Sequence, residues 1–149
     1  MTDVSFYHLQ QATLEIALPK LLEKTLAAGK RAVVRVGSAQ RAEALNALLW
    51  TYRPDTWLPH GNRKDGHAEA QPIWLTDEDE NPNQASFLFL ADGAASEHVG
   101  DFERCFELFD GHDDGAVQAA RERWKAYKEA GHGVTYWQQN DRGAWEQKA

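Results

Sequence analysis

The chain opens on a β-branched and aromatic run, Val4 to Leu9, that predicts a first strand. Leu14, Leu18, Leu21 and Leu22 then fall at helical spacing, and the stretch carries to Ala28 before Gly29 stops it. Pro19 lies inside this pattern and removes a backbone donor, so a kink or a helix broken in two is expected there. Arg31 to Val36 reads as a buried central strand, and Gly37-Ser38 turns the chain into a second helix. Ser38 is its expected N-cap, and Ala42, Leu45, Leu48 and Leu49 form the apolar stripe up to Trp50. Strand, helix, strand, helix at these separations predicts an α/β domain with a right-handed crossover between parallel strands.

Beyond Trp50 the pattern loosens. Arg53 to Pro72 holds prolines, glycines and polar residues and reads as a looped stretch over the surface. Ile73-Trp74-Leu75 predicts a short strand, Asp77 to Pro82 an acidic turn, and Ser86 to Ala91 a further strand leaving through Asp92-Gly93. Arg104 to Phe109 does not alternate strictly, so strand and short helix both remain open. Asp113 or Asp114 can cap a helix from about Gly115 to Ala130, closed by Gly131, whose apolar face is Val117, Ala120, Trp124 and Tyr127. Val134 to Gln138 and Ala144-Trp145 suggest a closing strand and a partly packed tail.

The length, 149 residues, suits one domain with a real core, and 42% hydrophobic against 26% charged residues is a globular balance. A formal charge of -7 repels phosphate backbones on average, so general coating of DNA or RNA is disfavoured. The single Cys105 excludes an internal disulfide framework and a Cys-rich zinc module. Neither a signal peptide nor a bilayer-spanning apolar run is visible, and a reduced cytoplasmic compartment is the expectation.

Catalytic patterns are missing. Gly37-Ser38 stands without the further glycines that let backbone donors approach a phosphate. His8, His60, His67, His98, His112 and His132 form no metal-ligand spacing, and His60 and His67 read as surface-loop residues. Cys105 lies in an apolar run that suits a core filler better than a nucleophile. No metal or cofactor is implied, and a small nucleotide-binding α/β enzyme is the alternative that strand-helix order alone keeps open.

Two clusters suit recognition. Between Val117 and His132, Arg121, Arg123, Lys125 and Lys128 outnumber Glu122 and Glu129, giving a local surplus of two positive charges in an acidic chain. Arg121, Lys125 and Lys128 share one helix face, bordered by Trp124 and Tyr127. A basic row beside an aromatic wall suits a short acidic peptide ending in an apolar side chain, although a solvated helix with an ordinary core stripe has the same composition. In the second cluster, Trp50 and the Pro-bounded Trp57, Leu58, Pro59 and His60, the aromatics either plug the core or present a knob to a partner.

Several segments, taken in order, carry a resemblance. They are Phe6-Tyr7-His8-Leu9, Gly29-Lys30-Arg31, Ala44 to Trp50, Trp57-Leu58-Pro59-His60, Pro72-Ile73, and Ala120 to Lys128 with Gly131. The ordered series resembles the chi subunit of the bacterial DNA polymerase III holoenzyme across nearly the whole chain. The resemblance implies one three-layer, Rossmann-like α/β domain over 1–149, with a mostly parallel sheet and helices on both faces; the C-terminal segment departs from the family's pattern, and about 139–149 is expected to be a partly packed extension. The resemblance also implies a non-catalytic adaptor in the clamp-loader assembly that touches DNA only indirectly and is a monomer when isolated. Arg121, Trp124 and Lys125 match the positions that bind the acidic Pro-Phe tail of single-stranded-DNA-binding protein, with Lys128 as their neighbour in that site. Trp50, Trp57, Leu58, Pro59 and His60 match the interface for a second partner, the psi subunit or an XPD-like helicase.

Overall fold

A computed structural model of the protein describes residues 2–51 and 59–149. The strands are β1 (Asp3–Leu9), β2 (Ala32–Arg35), β3 (Ile73–Thr76), β4 (Phe87–Leu90), β5 (Arg104–Asp110), β6 (Gly133–Gln139) and β7 (Trp145–Gln147). The helices are α1 (Leu14–Ala27), α2 (Ala39–Thr51) and α3 (Asp114–Glu129). The strands join one sheet in the order β3-β2-β4-β5-β1-β6-β7. All pairings are parallel except β6 with β7.

Side chains alternate between the two faces of each strand. On one face, Tyr7, Val34, Phe89, Phe106 and Leu108 pack with Leu18, Leu22 and Leu45 from α1 and α2. On the other, Val4, Phe6, Leu88, Cys105 and Phe109 pack with Ala120 of α3 and the half-buried Val117, Trp124 and Tyr127. The result is the expected three-layer α/β arrangement. It also resolves Arg104 to Phe109 as a strand: β5 is covered on both faces, so neighbouring positions are apolar and strict alternation is lost.

Helix ends follow local chemistry. Ser38 Oγ accepts from the Arg41 amide, and Asp113 Oδ1 accepts from the amides of Gly115 and Ala116. Gly29 and Gly131, at φ 73° and 89°, close α1 and α3 with paired reverse bonds: the amides of Lys30 and His132 reach the carbonyls of Thr25 and Tyr127. Asp113→Ala removes the acceptor for two first-turn amides of α3 and is expected to cost about 1 kcal/mol. Urea unfolding at neutral pH measures it, and an unchanged midpoint would refute the cap's contribution.

Two expectations need correction. Pro19 does not break its helix in two, because α1 runs from Leu14 to Ala27 through it. Pro19, past the first turn, removes one helical bond, and the burial of Leu18, Leu21 and Leu22 on either side holds the segment helical. The stretch after Leu58 is also not all surface. His60, Gly61 and Asn62 are buried, and Gly61 pairs with the edge of β3 through bonds to Ile73 and Leu75.

The carboxyl end is sheet as well. Asn140 Oδ1 accepts from the amides of Arg142 and Ala144 in the turn between β6 and β7. Trp137 stacks on Tyr7 at 6.1 Å, and Trp145 meets the same ring edge-on at 4.9 Å. Both indoles lie against the face that holds α1 and α2.

Candidate functional site: an aromatic cleft under helix α3

Because β5, β1 and β6 are adjacent and in parallel register, Phe6, His8, Phe109 and Tyr136 rise on the face that α3 partly covers. Trp124 is 5.5 Å from Phe6 and 6.5 Å, edge-on, from Tyr136. A cleft of about 630 Å³ opens between α3 and these strands, lined by all four residues together with Trp124, Arg121 and Lys125.

The cations divide into two groups. Arg123 turns inward, its Nε donating to Glu107 at 2.9 Å, so it adds nothing to the basic surface. Arg121, Lys125 and Lys128 are exposed, and neither Arg121 nor Lys125 forms an ion pair or hydrogen bond among the described residues. Lys128 Nζ stands 5.5 Å from the centroid of the Trp124 ring, a cation–π distance that supports the indole wall from outside the cleft. Glu122 and Ala149 also line the rim, beside Arg121 and Lys125. The cleft therefore has apolar walls and two cations, Arg121 and Lys125, at its mouth that form no ion pair among the described residues.

Its floor is polar at one point. His8, 8% exposed, is hydrogen-bonded through Nδ1 to the Tyr136 hydroxyl and lies against Gly111, where an added Cβ would meet the imidazole at 2.2 Å. Burial holds the His8 ring below its ordinary value, with His112 and Arg121 acting the same way and the Gly111 backbone and Asp110 opposing. The unfolded chain thus takes up this proton nearer pH 6.5, and the folded chain takes it up lower. As pH falls from 6.5 towards the folded value, His8 should remove stability. Urea midpoints at pH 7.5 and 5.5 are expected to fall further for the natural chain than for His8→Gln, and equal falls would refute the assignment.

None of Phe6, His8, Phe109 and Tyr136 was assigned to a binding site from sequence, although Phe6 and His8 carry part of the resemblance and His8 was weighed as a metal ligand. They read there as ordinary strand positions, and only the register of three strands places them under Trp124. The second cluster is assembled in part. Trp50 is 58% exposed on α2, and its ring lies 4.4 Å from that of His60, while Pro59 is half-buried. His60 is buried, not a surface-loop histidine, and its Nε2 meets the Asn46 carbonyl at 3.0 Å. Trp57 and Leu58 lie outside the described residues.

A family model described as "DNA polymerase III chi subunit, HolC" matches residues 1–135. The chain belongs to that family. A protein of Rickettsia prowazekii (strain Madrid E), described as "Probable DNA polymerase III subunit chi", is 36% identical over 90 residues, 60% of this chain and 54% of that protein. The match therefore spans about half the length of this curated relative. The family match ends at Thr135, so Tyr136, the last strand wall of the cleft, stands just past it.

A second cavity, about 730 Å³, lies at the carboxyl ends of β1 and β5, where open α/β sheets bind ligands. Several of its polar groups are already engaged. The amides of Gln11 and Ala12 donate to Gln139 Oε1 at 3.3 and 3.0 Å, and Arg41 is paired with Glu15 and Asp92. Ser38 Oγ caps α2 through the Arg41 amide, and the nucleotide reading gains no support from this geometry. Among the described residues no group of three or more His, Cys, Asp or Glu could hold a metal ion, and no helix is long and apolar enough to cross a membrane.

Proposed function

We propose that this chain is a non-catalytic accessory subunit of the DNA polymerase III assembly that grips the acidic Pro-Phe tail of single-stranded-DNA-binding protein in the cleft under α3. Family membership supports the accessory role in replication. The observation that carries the finer reading is the pairing of an aromatic slot with two unengaged cations, Arg121 and Lys125, at its mouth. The apolar terminal side chain enters between Trp124 and Tyr136, and Arg121 and Lys125 receive carboxylates by charge-assisted hydrogen bonds. Trp50, with Pro59 and His60 beside it, is the corresponding candidate for a second partner, the psi subunit or an XPD-like helicase. A half-exposed indole resting on a buried imidazole is suited to anchoring an interface.

Titrating the protein into a labelled copy of the acidic tail, followed by fluorescence anisotropy, tests the cleft. Saturable binding that weakens steadily as salt rises is expected, because the cations stand in solvent and are screened. No binding at low salt, or equal binding of a scrambled peptide, would overturn the reading.

A further inference from the structure

We propose that the buried cluster of Glu107, Arg123 and Tyr127 is a positioning device for the cleft, setting the rotation of α3 and hence where Trp124, Arg121 and Lys125 stand. The inference rests on the tail-binding reading above. Glu107 lies in the middle of β5, opposite Phe6 of β1 and Leu90 of β4, and is 1% exposed. Its same-face neighbours on the strand, Cys105 and Phe109, belong to the apolar cluster beneath α3. An apolar side chain is what that packing calls for. A carboxylate there carries a desolvation cost, and buried ion pairs of this kind can often be replaced by well-packed apolar groups without loss of stability.

What the carboxylate adds is direction. Its Oε2 accepts from Arg123 Nε at 2.9 Å and from the Tyr127 hydroxyl at 2.6 Å. The two donors are four residues apart, about one helical turn, so α3 is held at two points by one group of the sheet. Apolar packing is non-directional and lets a helix roll, whereas hydrogen bonds do not. A roll of about 20° would move a group about 5 Å from the helix axis by roughly 2 Å, more than a hydrogen bond tolerates. Trp124 follows Arg123 directly and is seated on Phe6 at 5.5 Å. Arg121 and Lys125 line the same cleft beside it.

The test separates position from stability by measuring tail-peptide affinity and melting temperature in two variants. Glu107→Leu/Arg123→Leu/Tyr127→Phe removes one carboxylate and one guanidinium, leaving the formal net charge unchanged. Its melting temperature is expected to equal or exceed that of the natural chain, while affinity weakens roughly tenfold because the cleft is no longer preorganised. Glu107→Gln keeps an acceptor for both donors but leaves Arg123 without a counter-charge. It should melt lower yet bind within about twofold of the natural chain. Tyr127→Phe, which removes one anchor point with little change in shape, keeps the question open to test if the triple variant does not fold, and should bind about threefold more weakly. The positioning role is overturned if the triple variant, or Tyr127→Phe in its place, binds like the natural chain, or if affinity follows melting temperature across the series. A natural chain that does not bind the peptide at all overturns the cleft reading instead, and the positioning role with it.

Discussion

Arg121→Glu is expected to weaken binding of the acidic tail at least about 30-fold and to leave the melting temperature essentially unchanged. The binding loss has two parts. A charge-assisted hydrogen bond contributes about 1.5–3 kcal/mol, and the new carboxylate adds repulsion at the same point. The neutral effect on stability follows from what Arg121 touches: it is exposed and forms no ion pair or hydrogen bond among the described residues. Anisotropy at two salt concentrations, paired with a thermal melt, checks both halves. The difference between natural chain and variant should shrink in high salt, as screening removes attraction and repulsion alike. Undiminished binding by the variant would remove Arg121 from the site, and attention would pass to the Trp50 patch.

Arg123→Ala should do the reverse and act on the fold. Its side chain is 19% exposed and that of Glu107 2%, so truncation leaves a carboxylate in the core with Tyr127 as its remaining donor. Breaking one side of a buried pair costs about 3–5 kcal/mol. In a chain of this size that is a fall in melting temperature of roughly 6–20 °C. The loss should also depend on pH. Burial pushes the Glu107 carboxyl above its ordinary value of 4.5, and the Arg123 charge and the bonds from Tyr127 and Arg123 pull it back. Without Arg123 the folded chain escapes part of the cost by binding a proton that the unfolded chain releases down to about pH 4.5. Urea unfolding is therefore expected to show a larger deficit at pH 8 than at pH 5.5. A deficit below about 1 kcal/mol, or one independent of pH, would mean that water enters and solvates Glu107.

The contrast between two arginines two residues apart shows where reading a chain in one dimension stops. Local chemistry was legible. Asp113 and Gly131 mark the ends of α3, Ser38 starts α2, and the spacing of Val117, Ala120, Trp124 and Tyr127 identifies the buried side of α3. Each of these depends on atoms within a few residues of one another, which sequence spacing already specifies. The order of elements was enough for an α/β domain, since a parallel pair needs a crossover and a crossover puts a helix on a face, and the resemblance supplied the three layers.

Other features depend on neighbours far along the chain. Pro19 was read as a kink or a break by its own geometry; the break does not occur, because the leucines around it are held by strands from elsewhere in the sheet. Arg123 counted as a surface charge until Glu107, sixteen residues earlier, came beneath it. His60 read as a loop residue because no spacing reveals that its ring nitrogen meets the Asn46 carbonyl on α2.

The cleft itself divides the same way. Its cations and its indole wall stand on one helix, and the residues of that helix are enough to name them. Its floor comes from three strands, Phe6 and His8 from the first, Phe109 from the fifth and Tyr136 from the sixth, separated by up to 130 positions and joined by sheet register. Helical periodicity shows which side chains share a face of α3. Only the pairing of β5 with β1 and of β1 with β6 decides what that face meets, because register is fixed by burial across the whole sheet and not by any single strand's own residues.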